Sequence, residues 1–201
     1  MKFAILLLLG YLLGSIPFAL VIGKLFYNTD IRQHGSGNLG GGNTGRVLGK
    51  KAGVAVMSLD ILKVALVVFL AKRILNTDIG IAGSAFAAAV GHCWPIFARF
   101  KGGKAVATMY GFLFGLFVFA GHSPLVFFLP LLMFLIVLKL TKIISLSSMV
   151  SALAATLYAG FSTRNIAYTL TLAAFTVLII VRHRKNIELM RKHQENKISW
   201  M

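Results

Sequence analysis

The chain has 201 residues, 58% apolar and only 13% charged, yet 21 Lys and Arg stand against 5 Asp and Glu for a formal charge of +16. A soluble domain carries about 45–50% apolar and about 25% charged residues, and a disordered chain needs low hydrophobicity, so both are excluded. The cations lie between long apolar segments, which excludes an ordinary nucleic-acid binder and fits a polytopic membrane protein.

A spanning helix needs about 20 mostly apolar residues. The first candidate, 3–26, follows Met1-Lys2, outruns a signal peptide and has no small-residue cleavage site, so it reads as a retained helix. The second, 52–71, holds Asp60 and Lys63 at i and i+3 on one helical face. Charges in a span face the bundle interior and serve a substrate or proton site or, more often, form a self-neutralising structural pair. Further candidates are 79–98, 105–120, 124–140, 146–161 and 166–181, with Gly121-His122-Ser123 as a tight hairpin between the fourth and fifth. The expectation is an all-α polytopic membrane protein: one domain over 1–201 with seven transmembrane helices. The single cysteine, Cys93, allows no intramolecular disulfide.

The cations set the orientation. With the N-terminus outside, the inward segments hold Lys24, Arg32, Arg46, Lys50, Lys51, Arg99, Lys101, Lys104, Lys139, Lys142, Arg182, Arg184, Lys185, Arg191, Lys192 and Lys197, 16 of the 21. The outward side holds Lys2, Lys72, Arg73 and Arg164. The positive-inside rule therefore predicts N-out and C-in.

Three inward segments carry candidate chemistry. The first, 30–46, has six glycines in the eleven residues 35–45, interleaved with Ser36, Asn38, Asn43 and Thr44 and followed by Arg46. Glycines let backbone N–H groups approach an anion, and arginine adds a bidentate fork. The spacing is neither a P-loop nor a dinucleotide fingerprint. In the second, Lys101-Gly102-Gly103-Lys104 directly precedes a helix, where free N–H groups and the positive dipole end favour an anion. His92 lies in the span before it, as a structural donor or a catalytic group, and has no partner at metal-ligand spacing. In the third, Arg182-His183-Arg184-Lys185-Asn186, helix-end electrostatics account for the cations but not for His183 and Asn186, at i and i+3. Ser145, in 141–148, caps its helix or supplies a ligand on the same face. The tail through Trp200 reads as polar, basic and interfacial. All these segments fall on one membrane face, as one composite phosphate site would.

The sequence resembles the bacterial acyl-phosphate:glycerol-3-phosphate acyltransferase family along nearly its whole length. The resemblance rests on Asp30-Ile31-Arg32 with Gly35-Ser36-Gly37-Asn38, Gly40, Asn43 and Arg46; on Gly91-His92, Pro95 and Phe100-Lys101-Gly102-Gly103-Lys104; and on Arg182-His183-Arg184 with Asn186-Ile187. Family members commonly carry Ala-Thr where this chain has Gly41-Gly42, and often Gly where it has Ala105. The resemblance implies acyl transfer from acyl phosphate to sn-glycerol 3-phosphate, giving lysophosphatidic acid and phosphate, with no cofactor and no metal. It implies Ser36, Arg46, Lys104 and His183 as catalytic residues, and Gly37, Asn38, Asn43, Lys101, Gly102, Gly103, Ser145 and Asn186 as substrate-binding residues. The expected partners are the two substrates and the lipid bilayer, with no nucleic acid and a monomeric chain. The expected location is the bacterial inner membrane, with the site on the cytoplasmic side. The proton acceptor is His183 or a substrate phosphate, whose second pKa is about 6. The alternative function is a small transporter of organic phosphates.

Overall fold

A computed structural model describes residues 1–198, so the expected interfacial Trp200 lies outside the described residues. Among these residues all regular structure is helical: α1 (Lys2–Gly14), α2 (Phe18–Tyr27), α3 (Gly41–Leu48), α4 (Lys50–Ile74), α5 (Asp78–Cys93), α6 (Val106–Phe119), α7 (Leu125–Thr141), α8 (Ile144–Ser162), α9 (Ile166–Arg182) and α10 (Arg184–Arg191). Each of the expected apolar segments is mainly helical, the first as two helices. Four stretches are long and apolar enough to cross a membrane: Lys2–Tyr27, Lys50–Ile74, Asp78–Ala98 and Ile144–Ser162. The pair α9–α10, bent by 58°, makes a fifth if taken as one span. Helices α6 and α7 are shorter, 14 and 17 residues, and the chain between them does break the helix, as the hairpin expectation required.

Two elements depart from the sequence expectation. The first apolar segment is interrupted at Ser15-Ile16-Pro17, because proline has no N–H and pushes the residue before it out of the helical region. The glycine-rich inward segment is not a loop throughout, since its second half forms α3. Its glycines admit a close helix contact: a Cβ on Gly53 of α4 would lie 2.7 Å from the Cα of Gly45 and 2.8 Å from the Gly41 carbonyl oxygen.

The same device joins α1 to α5. A Cβ at Gly10 would lie 2.5 Å from the Ser84 carbonyl oxygen, and one at Gly14 would collide with that of Ala88. On the facing helix, a side chain at Gly91 would strike the Tyr11 carbonyl. Between helices in lipid, close backbone approach replaces the hydrophobic driving force. Gly14→Leu is therefore expected to lower the thermal midpoint of the detergent-solubilised protein by several degrees. Leucine at the lipid-facing Leu8 position, 60% exposed, marks the opposite side of the same helix, and Leu8→Val should leave the midpoint nearly unchanged.

The core runs between α4, α5, α6, α8 and α9. Phe112 stacks on Phe175 at 5.9 Å, and both are fully buried. On the outside, Leu157, Phe161, Leu170 and Val177 are 61–83% exposed, an apolar surface suited to lipid rather than water. This bundle carries the polar residues of the three motifs at or beside the ends of its helices.

Candidate active site

The centre of the polar cluster is the turn at Gly102-Gly103, between α5 and α6. Both of its carbonyls and the Gly103 N–H have partners. The Gly103 N–H donates to the His92 carbonyl at 3.0 Å. Arg182 Nε donates to the Gly103 carbonyl at 3.0 Å, and its Nη2 to the Gly102 carbonyl at 3.2 Å. Asn38 Nδ2 donates to the same Gly102 carbonyl at 3.2 Å. One turn from the second motif is therefore tied to Asn38 of the first and Arg182 of the third. The Arg182 guanidinium also lies over the Trp94 ring, 5.3 Å from its centroid, which fixes its plane.

Neither glycine can be replaced without movement. A Cβ at Gly102 would collide with the His92 carbonyl, and one at Gly103 with His92 Nε2. The backbone around them is unusual: Arg99, Phe100 and Ala105 all have positive φ, at 54°, 57° and 61°. The left-handed conformation of Ala105 is one that glycine adopts without strain.

Lys104 leaves this turn and donates to Asn186 Oδ1 at 2.6 Å. Asn186 Nδ2 donates to Glu195 Oε1 at 2.7 Å, and Ser145 Oγ to the same oxygen at 2.8 Å. The tail also binds through Ile198, whose N–H donates to the Lys142 carbonyl at 2.9 Å. Burial lowers the Lys104 ammonium to about 8; Glu195 opposes this, while the charges of Arg46 and Arg182 add to it. His183, at the bend between α9 and α10, is 3% exposed. Burial lowers its imidazole to about 4, helped by the nearby Lys104 charge. Its Nδ1 lies 2.8 Å from the Ile179 carbonyl, so Nδ1 carries the proton and Nε2 has the free lone pair.

Hydrogen bonds thus join Lys104, Asn186 and Ser145 through Glu195, and Asn38, Gly102 and Gly103 through Arg182, with Arg46 and His183 within electrostatic reach of Lys104. Other expected ligands sit elsewhere. Asn43 is buried and braces its own segment: its Oδ1 accepts from the Ser36 N–H at 2.8 Å and its Nδ2 donates to the His34 carbonyl at 3.1 Å. Both ends of Asn43 thus hold the 34–36 turn, the role the structure gives this expected substrate-binding residue. Ser36 is exposed beside this brace. Gly37 and Lys101 line a separate basic cavity of about 320 Å³ with Asp30, Arg32, Gln33 and Arg99. There Arg32 Nη2 holds Asp30 at 2.6 Å, and this contact keeps the carboxyl down at about 2.

Sequence reasoning missed Arg182, whose charge a helix end explains without remainder, and Glu195, an isolated acid in a basic tail. Yet Glu195 places a carboxylate against the hydroxyl of Ser145 and the amide of Asn186, beside Lys104. An anionic ligand of these groups must displace it. Glu195→Gln keeps the acceptor and removes the charge, so the apparent KM of a phosphate-bearing substrate should fall threefold or more. A rise in KM would show that the carboxylate assists binding.

Residues 4–193 match the family described as Glycerol-3-phosphate acyltransferase. The chain is 46% identical over 197 residues to the glycerol-3-phosphate acyltransferase of Geobacillus kaustophilus, covering 98% of this chain and 96% of that one. It is 45% identical over 209 residues to that of Enterococcus faecalis, covering 100% and 94%. Among solved structures it resembles PlsY (YgiH), an integral membrane glycerol 3-phosphate acyltransferase, in its glycerol 3-phosphate form, with a TM-score of 0.91 at 34% identity over 99% of this chain and 96% of that one. The lysophosphatidic acid form of that protein gives a TM-score of 0.89. With its three motifs converging on one turn and its whole length matched, the chain belongs to the membrane-integral glycerol-3-phosphate acyltransferase family.

Proposed function

We propose that the protein transfers a fatty acyl group from acyl phosphate to sn-glycerol 3-phosphate, releasing 1-acyl-sn-glycerol 3-phosphate and inorganic phosphate. The observation that carries this reading is the Gly102–Gly103 turn, clamped by all three motifs, which delivers Lys104 to Asn186 beside the Ser145 hydroxyl. Both substrates carry phosphate, and this cluster is cationic and rich in donors. The reaction takes place at the cytoplasmic face of a bacterial inner membrane, on a seven-span chain with its N-terminus outside. The one-sided distribution of 16 of the 21 cations supports that topology.

The donor is a mixed anhydride, already activated. A glycerol hydroxyl attacks the acyl carbonyl carbon, forming the ester C–O bond, and the bond from that carbon to the phosphate oxygen breaks. The catalyst must align the two groups and stabilise the developing negative charge. Lys104 and Arg46 supply positive charge, Asn38, Ser145 and Asn186 hold the phosphates, and Ser36 orients the attacking hydroxyl. The hydroxyl proton goes to a substrate phosphate. Its second pKa, about 6, makes it a stronger base than His183 at about 4. The acid limb of kcat/KM is accordingly expected near pH 6; a limb near pH 4 would assign proton transfer to His183.

The test is purified protein in detergent with both substrates. Phosphate release that requires both, with formation of the monoacyl product, supports the reading. No turnover, with uptake of glycerol 3-phosphate into liposomes, would establish the transporter instead.

A further inference from the structure

Beneath the Gly102–Gly103 turn, α4 and α5 bury three ionisable side chains that the reaction does not use. Asp60, Lys63 and His92 are 1%, 5% and 6% exposed. Lys63 Nζ is 2.6 Å from Asp60 Oδ1 and 3.2 Å from His92 Nδ1, and it donates to the Ile16 carbonyl at 3.0 Å. An ammonium has three protons and no lone pair, so these three acceptors use it fully. Ile16 takes part because Pro17 breaks the first apolar segment: Leu20 N–H bonds to the Pro17 carbonyl at 2.8 Å, which leaves that of Ile16 to Lys63.

Lys63 only donates, so His92 Nδ1 presents its lone pair and the ring proton sits on Nε2, a tautomer assigned from its hydrogen-bond partner. The Nε2 edge packs against Gly103, where a Cβ would also lie 2.5 Å from Cε1. The His92 carbonyl takes the Gly103 N–H and blocks a side chain at Gly102. Ring and carbonyl of one residue therefore form the floor of the turn, while Asn38 and Arg182 hold its carbonyls from the other motifs. A pair that merely neutralises itself needs neither the Ile16 carbonyl nor His92.

We propose that Asp60, Lys63 and His92 are positioning residues for glycerol 3-phosphate: the buried ion pair locks the His92 ring, the ring supports the Gly102–Gly103 turn, and the turn places Lys104. This inference rests on the acyl-transfer reading and names the elements that hold its acceptor site in register. A turn displaced by about 1 Å is enough to cost about a hundredfold in an aligned reaction.

Two variants test it. Asp60→Asn combined with Lys63→Met removes both charges and leaves no unpaired one in the apolar interior. His92→Ala keeps the ion pair and the backbone carbonyl and removes the ring from the floor. Each is purified, checked for helical content and monodispersity, and assayed for the KM of both substrates and for calorimetric binding of glycerol 3-phosphate. Both variants are expected to raise the KM and Kd for glycerol 3-phosphate at least tenfold, with the KM for acyl phosphate changed less than threefold. Damage to folding alone lowers the active fraction, hence kcat, with both KM values unchanged. That result, or constants within twofold of the native protein, overturns the proposal. Native protein that neither binds nor turns over glycerol 3-phosphate would instead overturn the acyl-transfer reading.

Discussion

Lys104→Met should reduce kcat/KM by about a hundredfold to a thousandfold, the usual worth of one preorganised group that stabilises developing charge. Methionine matches the length of the lysine stem, so the volume is largely kept while the charge and the donation to Asn186 are lost. The charge is also what makes the site sensitive to base. The ammonium is held at about 8, so it is protonated below that pH and lost above it. In the native protein kcat/KM should therefore fall above about pH 8. Lys104→Arg keeps a cation at all accessible pH values and should remove this alkaline limb, even though its fork reaches Asn186 differently. A native limb that survives in Lys104→Arg would show that another group titrates. Activity within threefold in a folded Lys104→Met protein would displace Lys104 from the centre of the mechanism.

Gly103→Ala should be nearly as damaging, and for a reason that is steric rather than conformational. Gly103 does not have positive φ, so its backbone is open to alanine. What forbids a methyl group is the ring of His92. Inserting it moves either the ring, which Lys63 holds, or the turn that carries Lys104. Overpacking of this kind costs about 1–3 kcal/mol in stability, and the displaced turn should cost at least about a hundredfold in kcat/KM. Gly42→Ala is the control, because a Cβ there meets nothing within 4 Å and alanine favours the helix α3. If Gly103→Ala and Gly42→Ala behave alike, the packing of the turn on His92 has no functional weight.

Much of this was legible in the sequence because the signals were chemical and local. Apolar segments of spanning length announced the helices. Lys104, Asn186 and Ser145, far apart in the chain, were singled out separately and are joined by hydrogen bonds through one further side chain, Glu195. Where the reading failed, one residue type had two physical uses. The glycines of 35–45 read as an anion-binding loop, yet Gly41 and Gly45 permit the approach of α3 to α4. Pro17 was visible, but the apolar residues on both sides masked the break it imposes. Arg182 read as a helix-end cation, since nothing local reveals that it will meet two carbonyls about 80 residues earlier in the chain, at Gly102 and Gly103. Asp60 and Lys63 were legible as a pair, whereas their third partner, on another helix, required the fold.

The glycine seam between α1 and α5 also has a consequence for biosynthesis. Gly14 and its contact Ala88 are separated by more than seventy residues. At about 5–20 residues per second, ribosomes take several seconds to deliver α5 after α1 has entered the bilayer. During that delay the grooved face of α1 is open to lipid or to any other small-residue helix nearby. Ser84, Ala88 and Gly91 of α5 close that face once the helix arrives, so the seam is completed late in synthesis as well as being a contact in the finished protein.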